Sequence, residues 1–270
     1  MNDLTVFQSF VLGALQGLAE FLPISSSAHL ALAPWAFGWP EPGLAFDVAL
    51  HVGSLAALLW YFRAEWIALA RAAVSILATR RVETVEQHRV ILLVIATIPG
   101  GIAGLLLEKK AETAFRAPAL TATALIVMGA LLWIVDARAS RERKLDSFTK
   151  LDAFLTGCAQ AFALIPGVSR SGATITAARS LGFDRESAAT FSFMMSMPII
   201  AAAAVLKVPK ALAESGVTLS LTVAVLTAAV SSVFAITVLL RYVKHRGLGV
   251  FAVYRFVLGA AVLALVAHRS

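Results

Sequence analysis

Six stretches of this chain, near 45–62, 90–107, 117–135, 187–206, 217–240 and 249–267, are apolar over a length that matches a bilayer interior. A hydrocarbon core of about 30 Å takes roughly 20 helical residues to cross. Each stretch therefore predicts a transmembrane helix. Composition agrees: 59% of residues are hydrophobic, 14% are charged and the mean hydropathy is +0.83, far outside the range of soluble domains. The fold class expected is an all-α polytopic membrane protein.

Two further apolar segments, 4–36 and 152–182, are each interrupted by Pro, Gly and a serine cluster, so neither reads as one clean crossing. The opening MNDLTVFQ has no basic run and no small-residue cleavage site after it, and no removable signal peptide is expected. The single cysteine, Cys158, excludes an intrachain disulfide and a multi-cysteine metal site.

Slid against itself by 144 residues, the sequence lays LGALQGLAEFLPISSSAH (12–29) over TGCAQAFALIPGVSRSGA (156–173). Gly13, Gln16, Ala19, Ser25 and Ser27 fall on Gly157, Gln160, Ala163, Ser169 and Ser171, each segment carries a Pro just before its serines, and three spans follow each. The pattern predicts a duplication: a first repeat over 1–135, a cytoplasmic linker over 136–149 and a second repeat over 150–270. If the broken segments are re-entrant hairpins, three crossings per unit force the second repeat upside down, the inverted plan of many transporter folds.

Charge tests the topology. With six spans and two re-entrant hairpins, one side carries fifteen Lys and Arg within 63–89, 136–186 and 241–248, leaving out Arg170. The other carries six, Lys109, Lys110, Arg116, Lys207, Lys210 and Arg269. The richer side is expected to be cytoplasmic, which puts both termini and the 4–36 hairpin outside. The net charge of +7 then reflects orientation, and no nucleic-acid partner is implied. Eight full crossings would leave 63–89 and 136–150 on one side as well, so charge alone does not choose. Re-entry is preferred because a non-helical turn at membrane depth must be buried in protein or line a wet cavity.

Ionisable groups at that depth are costly, and mark function by default. Gln16 and Glu20 are four apart on one helix face. Pro23 breaks that helix, and Ser25, Ser26, Ser27 and His29 follow. The second break, PGVSRSGAT, supplies Ser169, Arg170, Ser171 and Thr174, with Gly167 and Gly172 keeping the backbone tight. A guanidinium fork, hydroxyls and helix-start N–H groups together suit a phosphate. Plainer roles exist for each: Arg170 as a structural partner of Glu20, the serines as backbone caps, His29 as an interior histidine. With Glu20 and His29 at hand, the cluster can also do chemistry. Glu20 can hold a divalent cation or act as base, His29 can move a proton, and Ser26 can attack phosphorus. Asp47 and His51, four apart, form a candidate second layer or an interfacial polar face. Arg255 needs a partner that the sequence does not name, and RRVETVEQHR (80–89) reads as a solvated loop.

These motifs resemble the membrane undecaprenyl-diphosphate phosphatase family, the type associated with bacitracin resistance. Its first signature is met by Gln16, Glu20, Pro23, Ile24, Ser25, Ser26 and His29, and its second, PGxSRSxxT, by Pro166, Gly167, Ser169, Arg170, Ser171 and Thr174. The likeness continues through FDVALHVGSLAALLWYFR (46–63), the FSF…P run (191–198) and YRF near the end, and so covers nearly the whole chain. It implies hydrolysis of undecaprenyl diphosphate to the monophosphate and inorganic phosphate, recycling the lipid carrier of cell-wall synthesis. It further implies a bacterial plasma-membrane location, an outward-facing (periplasmic) site, Mg²⁺ or Ca²⁺ dependence and often a homodimer. Carried over, Glu20 is metal ligand or base, His29 proton-transfer partner and Ser26 nucleophile or phosphate ligand, while Arg170 with Ser169 and Ser171 forms the phosphate clamp. Gln16 departs from the pattern, since many members have a second Glu there. Two other classes share the inverted plan and the anion site: a flippase for the prenyl-phosphate carrier, and a receptor that only binds diphosphate.

Overall fold

The computed structural model describes residues 4–112 and 117–269, without the side chains of 44, 45, 108–112 and 210–215. Among the described residues it holds eleven α-helices and no strand. They are α1 (Val6–Phe21), α2 (Ser26–Phe37), α3 (Gly43–Tyr61), α4 (Arg63–Thr79), α5 (Val85–Glu112), α6 (Pro118–Arg138), α7 (Lys150–Ala161), α8 (Arg170–Ser180), α9 (Arg185–Ser215), α10 (Leu219–His245) and α11 (Gly249–Arg269). Within α5, α6, α9, α10 and α11 lie five stretches long and apolar enough to cross a bilayer, and α3 with α4 makes a sixth if that bent pair counts as one. The chain is a multi-pass membrane protein.

One expectation fails here. Residues 63–79, assigned to a basic loop, form α4, bent by 86° from α3. Its arginines hid a helix-forming run of Ala, Leu and Ile whose inner side buries Leu69 and Ala72, while Ile67, Val74 and Leu77 stay exposed. Only the first half of RRVETVEQHR is non-helical, because α5 starts at Val85.

Both broken segments are helix–turn–helix units, α1 with α2 and α7 with α8, and their local structure repeats at the 144-residue offset. Thr5 caps α1 and Thr149 caps α7, each in a reciprocal box with the residue three further on, Gln8 or Asp152. Gly13 lets α1 touch the backbone of α10 at Ala224, and Gly157 lets α7 touch α5 at Ala96; a Cβ at either glycine would overlap the facing carbonyl. The pairings are reciprocal as well. α1 and α3 pack on α10, α7 and α9 pack on α5, and α6 packs on α11.

Ion pairs gather at one end of the bundle. Arg89 meets Asp146 at 2.5 Å, Lys144 meets Asp184 at 2.5 Å and Lys244 meets Glu186 at 3.0 Å, which brings the 80–89, 136–150 and 184–186 segments and the end of α10 together. Beneath them Asp136 of α6 accepts from buried Arg179 (3.0 Å), from Arg185 (2.7 Å) and from the Leu248 amide (2.9 Å). At the opposite end Arg269 donates to the carbonyls of Trp35 and Ala36, both at 3.2 Å. The side chains of Lys109, Lys110, Arg116 and Lys210 lie outside the described residues.

Arg255, left without a partner by the sequence, has four. Fully buried on α11, it donates to the carbonyls of Leu125 (3.1 Å), Pro23 (3.1 Å), Gly167 (2.6 Å) and Val168 (3.1 Å). Pro23 and Gly167 occupy equivalent places in the two breaks, so one guanidinium staples both turns. Arg255→Met should strip these carbonyls of a donor and lower stability by about 3 kcal/mol or more, measured as a lower melting temperature in detergent. Arg255→Lys, with its donors on a single point, should recover only part of the loss.

Candidate functional site

The two turns interlock at the centre of the molecule. Pro23 cannot donate to the helix ladder and leaves Leu22 extended, so α1 ends at Phe21. Ser25 and Ser169 then take positive φ, 77° and 70°, which costs a side-chain-bearing residue on the order of 1–3 kcal/mol. What offsets the strain is visible. Each serine Oγ accepts from the amide three residues on, Ala28 at 3.4 Å and Gly172 at 3.1 Å, and so caps the helix that follows. Ser25 Oγ also accepts from the Gly167 amide at 3.2 Å, and Ser171 Oγ donates to the Leu22 carbonyl at 3.2 Å. The N-termini of α2 and α8 thereby converge, with Ser26 and Arg170 as their first residues.

Glu20 lies between them, 6% exposed. Its Oε1 accepts from Arg170 Nη2 at 2.5 Å, and its Oε2 from Ser26 Oγ at 2.6 Å and from Gln16 Nε2 at 3.2 Å. His51 of α3 places Nε2 3.6 Å from the same carboxylate. The other ring nitrogen, Nδ1, faces the Asp47 carbonyl at 2.7 Å, which only accepts; Nδ1 therefore carries a proton, and Nε2 is the nitrogen turned towards Glu20. Around this cluster is a cavity of about 260 Å³, lined on its polar side by Glu20, Ser26, Ser27, His51, Ser169 and Arg170 and on its apolar side by Val48, Leu164, Ile199, Ile200 and Ala203. It suits a small polar group, since pockets for whole drug-sized ligands run to about 300–1,000 Å³. Arg170 Nη1 is buried without a hydrogen-bond partner among the described residues.

The profile described as bacitracin resistance protein BacA matches residues 9–261. The chain belongs to the BacA family. Three similar relatives each carry the name undecaprenyl-diphosphatase. That of Gemmatimonas aurantiaca is 59% identical over 99% of this chain and all of its own. That of Pelotomaculum thermopropionicum is 47% identical over 99% of both chains, and that of Moorella thermoacetica 48% over 97% of this chain and 98% of its own. The family resemblance drawn from the two serine motifs is thus borne out over the full length.

Within this BacA-family fold the residues singled out from sequence divide into three groups. Glu20, Ser26, Ser27, Ser169 and Arg170 share the cavity, and Gln16 stands behind Glu20. Ser25, Ser171 and Thr174 build the turns instead; Thr174 Oγ1 is buried against the Arg170 carbonyl (2.8 Å) and Ser192 Oγ (2.6 Å). His29 is in neither place. Its Nδ1 donates to the Ser25 carbonyl at 2.7 Å and its Nε2 is 2.6 Å from the Tyr254 hydroxyl, so both nitrogens are spent outside the cavity lining. α2 turns His29 towards Tyr254 of α11, and it is His51 whose Nε2 comes within 3.6 Å of Glu20. Sequence reasoning left His51 open, with Asp47, between a second layer of the cavity and an interfacial polar face. It gave Gln160 no role beyond a repeat match, and Gly100, also in the cavity wall, none at all.

Removing one partner of a buried pair leaves the other charge uncompensated, at about 3–5 kcal/mol. Arg170→Met should lower the melting temperature in detergent, whereas the double change Glu20→Gln, Arg170→Met should recover most of that loss. A double-mutant cycle on thermal unfolding measures the coupling.

Proposed function

We propose that this chain hydrolyses undecaprenyl diphosphate to undecaprenyl phosphate and inorganic phosphate, recycling the carrier lipid of cell-wall synthesis. The observation that carries it is the Ser26–Glu20–Arg170 cluster, an aimed hydroxyl, a carboxylate and a guanidinium with one donor to spare, set where two helix N-termini meet. Anionic phosphate is what such a site receives. The names of the full-length relatives point to the same reaction.

The chemistry follows from the contacts. Arg170 and the α2 and α8 N-termini hold the phosphoryl oxygens and offset their charge, which is most of what phosphoryl transfer requires. Ser26 Oγ gives its proton to Glu20 and attacks the outer phosphorus. The bond from that phosphorus to the bridging oxygen breaks, and its electron pair leaves with undecaprenyl phosphate. Water, deprotonated by a base of the cavity, then attacks the phosphoserine and releases inorganic phosphate, and Ser26 regains a proton. His51 Nε2, facing Glu20, is placed to carry these protons; His29 acts on the Ser25 turn. Direct attack by water would leave no phosphoserine, and rapid quenching with labelled substrate distinguishes the two routes.

Mg²⁺ or Ca²⁺ fits this site as a guest of the substrate. Among the described residues no three His, Cys, Asp or Glu side chains group together. The Glu20 carboxylate and the buried, unpartnered Oε1 of Gln16 are nonetheless hard oxygen donors of the kind such cations take alongside phosphate oxygens. When bound, the ion would supply charge neutralisation at the diphosphate.

Around the site we place two inverted repeats, 1–135 and 150–270 joined by 136–149, whose broken helix pairs 4–36 and 152–182 re-enter the membrane from opposite sides. The recurrence of cap, close glycine and strained serine 144 residues apart supports this arrangement. The end rich in ion pairs lies in the cytoplasm of a bacterial cell and the cavity opens outward, with homodimers as the assembled form. The apolar wall of Val48, Ile199, Ile200 and Ala203 receives the start of the prenyl chain.

Phosphate release by purified protein in detergent tests the proposal. Wild type should release phosphate, a chelator should stop it, and excess Mg²⁺ or Ca²⁺ should restore it. Glu20→Ala and Arg170→Ala should each lower kcat/KM by about a thousandfold, and His51→Ala by about a hundredfold. Absence of release from wild type, with labelled lipid still flipping in liposomes, would establish the carrier instead.

A further inference from the structure

Gln160 has no part in the chemistry above, yet it is the most conspicuous unmet group in the cavity. It sits near the end of α7, is 4% exposed and lines the space beside Arg170. Neither its Nε2 nor its Oε1 has a hydrogen-bond partner among the described residues. Native structures keep such a buried amide where a ligand or ordered water meets it. Exchanging its N and O changes nothing, because both atoms are unmet.

Its surroundings explain why it is open. Gln16, at the equivalent position of α1, spends its Nε2 on Glu20 four residues later. Four residues after Gln160 stands Leu164, which offers nothing. Across the wall, Gly100 of α5 makes the room, since a Cβ there would lie 2.6 Å from Gln160 Nε2. The cavity therefore contains two free buried donors, Arg170 Nη1 and Gln160 Nε2, with an amide oxygen next to one of them. A ligand that satisfies all three presents several acceptor oxygens and a hydroxyl or bound water.

We propose that Gln160 is a further substrate-binding residue, its amide N–H donating to one phosphoryl oxygen of the diphosphate while Arg170 Nη1 holds another. The inference deepens the hydrolase assignment and rests on it for the identity of the ligand. Gln160 touches substrate but moves no proton, so its loss should appear in binding before turnover.

The test uses the full-length protein in detergent as wild type, Gln160→Met, which keeps the length and removes the hydrogen bonds, and Gly100→Ala, which crowds the amide without removing it. KM and kcat are measured with undecaprenyl diphosphate, inhibition constants with inorganic phosphate and with undecaprenyl phosphate, and binding with methylene diphosphonate, which cannot be hydrolysed, through its effect on the melting temperature. For Gln160→Met we expect KM to rise about tenfold, one hydrogen bond's worth, with a smaller change in kcat. The diphosphonate needed for a given thermal shift should rise equally, and Gly100→Ala should follow in the same direction. A raised inhibition constant for inorganic phosphate assigns the amide to the outer phosphate, and one for undecaprenyl phosphate to the inner. Folded Gln160→Met with KM, both inhibition constants and the diphosphonate response all unchanged overturns the inference, leaving a buried water as the amide's partner. Should that variant fail to fold, the same constancy in Gly100→Ala overturns it. A wild type that binds diphosphonate in a Gln160-dependent way but releases no phosphate would sink the hydrolase assignment alone.

Discussion

Two interruptions of helix buried within an apolar bundle leave backbone groups that need partners, and satisfying them governs this structure. The demand is met internally. Ser25 and Ser169 cap the helices that restart, the Gly167 amide reaches across to Ser25, and Arg255 takes carbonyls from both turns. The caps are made within each turn, but the last two contacts need both. Each break is thus held partly by its own cap and partly by the other break lying against it.

The functional asymmetry is built on that shared frame. At the 144-residue offset Glu20 corresponds to Leu164 and Ser26 to Arg170. The same cap and the same strained serine thus carry a carboxylate and a hydroxyl from one side, and a guanidinium from the other. The two charges are paired only where the turns meet. The 2.5 Å contact between Glu20 and Arg170 joins residues 150 apart in sequence, so the reactive centre and the tertiary fold are one event.

Much of this was legible in the sequence. Span lengths followed from hydrophobic runs, and the breaks from Pro23 and Pro166 with their serines. The meeting of Glu20 and Arg170 followed from the cost of isolated charge in lipid. Three features escaped for separate physical reasons. α4 was hidden because arginines on one side of an Ala-rich helix look, in one dimension, like a solvated loop. The direction of His29 was not legible because a motif gives order along the chain and not direction around a helix axis; its two nitrogens face Ser25 and Tyr254. The partners of Arg255 could not be named because they are main-chain carbonyls, which every residue has and no pattern of side chains reveals.

Arg255 also bears on how such a chain comes to be made. It belongs to α11, which is made after every segment whose carbonyls it serves. Until α11 is made, then, neither turn has its guanidinium. A chain cut short before α11 would lack the guanidinium that serves both turns.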